Sequence, residues 1–159
     1  MNGNVIVYDL DGTISKGDTM VAFTQFTHGK IRSTLIYALV SPLILLAYSS
    51  LISRHYVKEM VLKLHYRGFH KEDLLVLGKR FSEDFLPSLF YESIYSGIKS
   101  QIRDRNIIVI LTASCDVWVE PWCRKNQIEF LGSRMEFVDG ICTGKLSVKI
   151  AEVRKNIKF

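Results

Sequence analysis

The run Val5-Ile6-Val7-Tyr8 passes without a linker into Asp9-Leu10-Asp11-Gly12-Thr13, and that junction restricts the fold more than anything else in the chain. β-Branched and aromatic residues in succession mark a short strand, and a glycine then breaks it abruptly. In open parallel α/β sheets, ligands bind at the carboxyl ends of the strands. Side chains alternate along an extended backbone, so Asp9 and Asp11 share one face and one small volume. Two carboxylates that close repel unless a cation lies between them, which points to a hard, oxygen-seeking ion such as Mg²⁺. Gly12 frees the backbone to curl around a ligand, and Thr13 adds a hydroxyl and an amide donor. An Asx-type turn that merely closes a strand is the competing reading of the Asp-Gly pair.

A second stretch, Asn106 to Ser114, is an apolar strand that ends in Thr112-Ala113-Ser114. It suits a central parallel strand delivering hydroxyl and amide donors to its carboxyl end, with Ser114 read as a cap for a helix starting near Asp116. The Asp-x-Asp-Gly-Thr element and this second strand resemble the first and second motifs of the haloacid dehalogenase-like phosphatase superfamily. That resemblance implies that Asp9 is a nucleophile forming an aspartyl-phosphate and Asp11 a general acid and base. It also implies Mg²⁺ on Asp9 and Asp11, with Gly12, Thr112 and Ala113 around the phosphoryl group.

Between the two motifs the sequence reads as helical. Asp18 or Thr19 caps a helix running to about Thr27, and Gly29 ends it. Ser33 to Ser53 then carries no charged residue, with Lys30 and Arg32 before it and Arg54 and His55 after it. The run barely reaches the roughly 20 residues that cross a bilayer. Pro42 is expected to divide it into two short helices. A spanning helix, a hairpin dipping into the membrane interface and buried helices all remain open, the proline and the hydroxyls favouring the last two. Tyr56–Tyr66, Lys71–Phe85 and Ser88–Arg105 show helical spacing, with Gly68 and Pro87 between them. The predicted fold is therefore α/β, a Rossmann-like parallel sheet over 1–16 and 88–159 with an all-helical cap inserted at 17–87.

Farther along, Asp116–Asn126 reads as a helix holding Trp118, Trp122 and a kinking Pro121. Ile128–Phe130 reads as a short strand, and Met135–Phe137 and Ile141–Thr143 as a hairpin about Asp139-Gly140. The four histidines lie in the helical insert without ligand spacing and read as surface or interface residues. Together with Tyr66-Arg67-Gly68-Phe69, the late hairpin resembles the phosphoserine phosphatase-like branch. Within that branch, the apolar cap segment is most similar to the phosphatidylglycerophosphate phosphatase C type. Arg67 is the candidate cap contact to substrate, against the plainer reading of a solvated helix end. The family's later lysine has its nearest counterpart in Lys155, and no Gly-Asp-Ser-x-x-Asp-like motif follows, so the chain reads as C-terminally truncated with an apolar sheet edge uncovered.

Composition limits the partners. The chain of 159 residues, 48% hydrophobic, holds one core, and its net charge of +5 suits anionic lipid more than nucleic acid, since no basic block with interleaved aromatics occurs. Three cysteines without a close pair argue for a reducing compartment. The N-terminus lacks a basic segment followed by an apolar core, so no signal peptide is expected. The expected activity is a Mg²⁺-dependent phosphomonoester hydrolase acting on a phosphorylated small molecule or a lipid phosphate. The alternative is an inactive remnant that binds phospho-ligands or a membrane surface. The expected location is cytoplasmic, or peripheral on the inner face of the membrane.

Overall fold

The computed structural model describes residues 3–148. Its centre is a four-stranded sheet in the order β1 (Val5–Tyr8), β2 (Ile107–Cys115), β3 (Glu129–Val138), β4 (Ile141–Val148). β1, β2 and β3 run parallel, and β4 returns antiparallel to β3. The α/β class expected from sequence is the one observed. β1 pairs only with β2 among the described residues, so Val5 and Val7 stand exposed on the open edge. The Asp139-Gly140 pair makes the predicted hairpin turn, both residues with positive φ, as a two-residue turn matching strand twist requires. The expected short strand and the hairpin's first arm are in fact one strand, because Leu131-Gly132-Ser133-Arg134 stays extended along β2 and then β4.

Between β1 and β2 lie α1 (Thr19–His28), α2 (Lys30–Tyr48), α3 (Arg54–Tyr66) and α4 (Lys71–Arg80), and after them α5 (Glu92–Arg103). The long helix expected over Lys71–Phe85 ends at Arg80, continuing as a π turn at Phe81–Phe85 and a 3-10 turn at Leu86–Leu89 around Pro87. The next helix begins at Glu92 rather than Ser88 for the same reason. The two ends of this helical excursion meet: the Lys16 amide donates to Leu89 O, and the Tyr91 amide to Ile14 O. On the far side, the Gly68 amide reaches Cys142 O and the Lys71 amide reaches Gly140 O, tying α3 and α4 to the hairpin.

Two prolines sit inside helices without breaking them, contrary to the sequence expectation for Pro42. A helical proline leaves the carbonyl four residues earlier without its donor. For Pro42 in α2 that carbonyl is Ala38 O, and the Ser41 hydroxyl donates to it at 2.8 Å. For Pro121 in α6 (Asp116–Lys125) it is Val117 O, against which α4 packs at Gly78. A Cβ on residue 78 would lie 2.0 Å from that oxygen, so only glycine allows the approach. The hydrogen on the Gly78 Cα is thereby left facing the orphaned carbonyl.

The core joins sheet and helices through aromatic rings. Phe23 of α1 stacks on Trp118 of α6 with centroids 4.9 Å apart, and Phe90 meets Trp122 edge-on at 4.9 Å. Both tryptophans are buried. Two histidines are not surface residues. His65 is buried, with Nδ1–H donating to Val61 O, and its ring lies 5.4 Å from that of His28. Burial lowers the pKa of both, which keeps them neutral within the helical packing.

Candidate active site

Asp9 and Asp11 follow the end of β1 and stand in different surroundings. Asp9 is exposed, its Oδ1 accepting the Leu10 amide at 2.9 Å. Asp11 faces inward, and both its carboxylate oxygens are engaged. Oδ1 accepts the Thr19 amide at 2.8 Å, and Oδ2 accepts the Ser114 hydroxyl at 2.6 Å and the Thr112 hydroxyl at 3.4 Å. Thr112 and Ser114 are two apart on an extended strand and so point to the same side. A register shift of β2 against β3 between Leu111 and Cys115 falls on these residues, a place where bulges re-aim side chains.

The hydroxyl chain has a fixed direction. Ser114 gives its only proton to the Asp11 carboxylate, so at its 2.8 Å contact with Thr19 it must accept. Thr19 in turn accepts from Trp118 Nε1 at 3.2 Å. The relay Trp118, Thr19, Ser114, Asp11 thus delivers aligned donors to one carboxylate oxygen, and each bond polarises the next. Sequence reading missed Thr19 and took Ser114 for a helix cap. Cys115 occupies that cap position instead, and Asp18 caps α1 by accepting the Met20 and Val21 amides. Desolvation by the surrounding protein, followed by the negative charge of Asp11, raises the Asp18 pKa from its ordinary value, although the residue keeps an exposed face.

The turn itself is arranged around Leu10. Its carbonyl accepts the amides of Thr13, Ile14 and Ser15 and the Ser15 hydroxyl, so the Thr13 amide is not the free donor expected. Gly12 takes φ +76°, a conformation glycine adopts without strain, inside the turn that the Asp11–Ser15 bridge closes. Ala113 is exposed beside it, and its carbonyl accepts the Ser133 hydroxyl at 2.9 Å and the Lys58 ammonium. Arg67 lies away from this cluster, in a surface depression with Glu136 and Lys145, so it is not the cap contact expected. Lys155 falls outside the described residues.

A cavity of about 400 Å³ opens over Asp11, Asp18, Ala113 and Ser114. Its walls come from the helical excursion: Met20, Val21, Ile44, Ala47, Val57 and Val61, with Tyr48, Arg54 and Lys58 also reaching it. Cys115 is next to the cluster, but burial pushes its thiol up to about 12. A protonated, buried thiol is no nucleophile at neutral pH, which leaves the carboxylates as the reactive groups. For a divalent cation the donors are oxygen only. The Asp9 carboxylate is exposed, the Asp11 main-chain carbonyl accepts none of the turn's hydrogen bonds, and no cluster of three acidic, histidine or cysteine ligands occurs among the described residues. Two protein oxygens with water completing the shell match the way Mg²⁺ is commonly held.

The sequence matches the haloacid dehalogenase-like hydrolase family over residues 6–158. The chain belongs to that family. No curated protein matches it. Among solved structures, a Bordetella pertussis protein of unknown function superposes with a TM-score of 0.76 at 16% identity, covering 97% of this chain and 73% of that one. A phosphoserine phosphohydrolase-like protein from Francisella tularensis gives 0.63 at 14%, covering 91% and 64%. A substrate-bound phosphoserine phosphatase complex gives 0.60 at 14%, covering 92% and 63%. The chain spans under two thirds of the latter two, and at these identities the likeness is one of fold.

Proposed function

We propose that this hydrolase cleaves phosphomonoesters through an aspartyl-phosphate. The observation that carries the reading is the Asp11 carboxylate, held by hydroxyls from the far end of β2 while Asp9 stands exposed beside it. An Asp9 oxygen attacks phosphorus, and the bond from phosphorus to the leaving oxygen breaks. Asp11, which enters this step as the carboxylic acid, gives that oxygen its proton and becomes the carboxylate that the hydroxyls hold. Asp11 then takes a proton from water, whose oxygen attacks the phosphorus of the acyl phosphate, releasing inorganic phosphate and restoring Asp9. The Gly12 amide and the Thr112 and Ala113 strand end cradle the phosphoryl oxygens. The Asp9 carboxylate and the Asp11 carbonyl would hold Mg²⁺, which when bound would supply positive charge to the phosphoryl group. The segment 17–87 serves as a cap that excludes water and chooses the leaving group.

The apolar cavity wall favours a phosphate ester with a hydrocarbon leaving group, presented at a membrane surface. A small charged phosphomonoester is the second reading, favoured by Asp18 and Arg54, opposite charges on the same cavity. Phosphate release with Mg²⁺ from a short-chain phosphatidate and from a phosphorylated amino acid separates the two. The expected result is a higher kcat/KM for the phosphatidate. The reverse order assigns the cavity to the small molecule. Release from neither leaves the non-catalytic alternative, a binder of phospho-ligands or membrane.

A further expectation tests the hydroxyl relay. Ser114→Ala removes the shortest contact to Asp11, and a carboxylate left to swing loses its aim at the leaving oxygen. A fall in kcat of about 10²-fold is expected, with KM little changed. An unchanged kcat in a folded variant would show that Asp11 needs no such support.

A further inference from the structure

Lys58 lies on the inner face of α3, one turn after Arg54, and projects into the cavity that holds Asp11 and Asp18. Its ammonium donates to Ala113 O at the end of β2, a carbonyl already served by the Ser133 hydroxyl. An ammonium has three donors, and among the described residues Nζ has no second acceptor. Among the described residues no carboxylate lies within ion-pair distance of it either, although two line the same cavity. Arg54 is differently placed, being exposed with its guanidinium 5.6 Å from the Tyr48 ring centroid. A half-buried cation beside Thr112 and Ser114, with two N–H groups unspent, is suited to an anion arriving at that strand end.

We propose that Lys58 is a phosphate-binding residue, supplied by the helical excursion rather than by the sheet. This rests on the phosphomonoesterase reading and extends it. The ammonium rests on Ala113 O. With a phosphomonoester bound, its remaining donors take non-bridging phosphoryl oxygens, and the Ala113 contact keeps the side chain in place. Bound phosphate then adds a second link between α3 and the end of β2 beside the Ala113 contact already present, on the same helix that carries Val57 and Val61 to the cavity wall.

The test uses the full chain, with inorganic phosphate as the probe in calorimetric titration and an aryl phosphate for turnover. Lys58→Gln keeps an N–H donor for Ala113 O but removes the charge, whereas Lys58→Arg keeps the charge. The expected result is phosphate affinity weakened about tenfold or more in Lys58→Gln, largely restored in Lys58→Arg, and KM for the aryl phosphate raised in parallel. A merely structural lysine would lower the melting temperature and leave the phosphate affinity of the folded variant unchanged. Equal affinity in wild type and Lys58→Gln overturns the proposal, as does a wild type that binds no phosphate. If Lys58→Gln does not fold, acylation of wild-type lysines with and without phosphate decides: selective protection of Lys58 supports the assignment, and its absence overturns it. Lys58-dependent binding with turnover no faster than in Asp9→Asn would fault the catalytic reading alone. Turnover that depends on Asp9 and ignores Lys58 would fault this inference alone.

Discussion

Asp9→Asn is expected to abolish phosphate release from an aryl phosphate, by at least about 10³-fold in kcat. The two side chains have nearly the same shape, so the Leu10 amide keeps an acceptor and the turn keeps its form. What changes is chemistry. A neutral amide oxygen is a poor nucleophile toward phosphorus, and without the acyl phosphate the reaction loses its first step. The charge change also removes one of the two oxygens available to Mg²⁺, so metal affinity should fall along with the rate. Melting curves of the two proteins without Mg²⁺ should coincide within a few degrees, because Asp9 is exposed and its one hydrogen bond among the described residues is local. Equal rates in the two folded proteins would remove the enzymatic reading and leave a binding role for the hydrogen-bonded cluster around Asp11.

The legible parts of this molecule were those where one short stretch carries its own constraint. β1 and its turn, the Asp18 cap, the Gly29 stop and the Asp139-Gly140 hairpin each depend on a handful of neighbouring residues, and each occurs where expected. The parts that escaped depend on partners distant in sequence. Ser114 looks like a cap because a serine before a helix usually is one, and only the approach of β1 to β2 brings it to Asp11. Its one local signal was the alternation that puts it on the same side of the strand as Thr112. Thr19 gave none, since its amide and hydroxyl serve the site only because α1 starts beside that strand end. Lys58 sits in a helix whose spacing marks Val57 and Val61 as buried but cannot say what its neighbour reaches. His65 likewise reads as polar surface until α1 and α2 are packed over it. Pro42 misled for a different reason: a donor one residue away, the Ser41 hydroxyl, repairs the carbonyl that the proline strands.

The same repair gives α2 its consequence, because an unbroken helix carries one continuous apolar face. Only Ser33, Val40 and Ala47 are buried, seven residues apart along a single stripe. That stripe packs toward α1 and α3, and the opposite face leaves Ile31, Leu35, Leu39 and Leu45 between 65% and 81% exposed. By length and composition the helix could cross a bilayer. One side, however, is tied along its length to the protein, which suits a helix lying in the surface plane of the membrane. From Thr19 to Lys58 the chain has no acidic residue, while Lys30, Arg32 and Arg54 add positive charge near the two ends of α2. Each such charge adds about 1 kcal/mol on an anionic surface. The helix also ends at the cavity, through Ile44, Ala47 and Tyr48, so docking would bring the cavity to the lipid headgroups. The protein is therefore expected to sediment with anionic vesicles at low salt and to release as salt rises. Leu45→Asp exchanges an exposed apolar anchor for a carboxylate. Lost burial of about 2 kcal/mol and a charge penalty of similar size near lipid together predict a fall in partitioning of about 10³-fold. Because Leu45 makes little contact with the rest of the fold, the variant should melt as the wild type does. A wild-type chain that stays in the supernatant with anionic vesicles at low salt would end the membrane reading. The case for a hydrocarbon leaving group would then rest on the cavity wall alone.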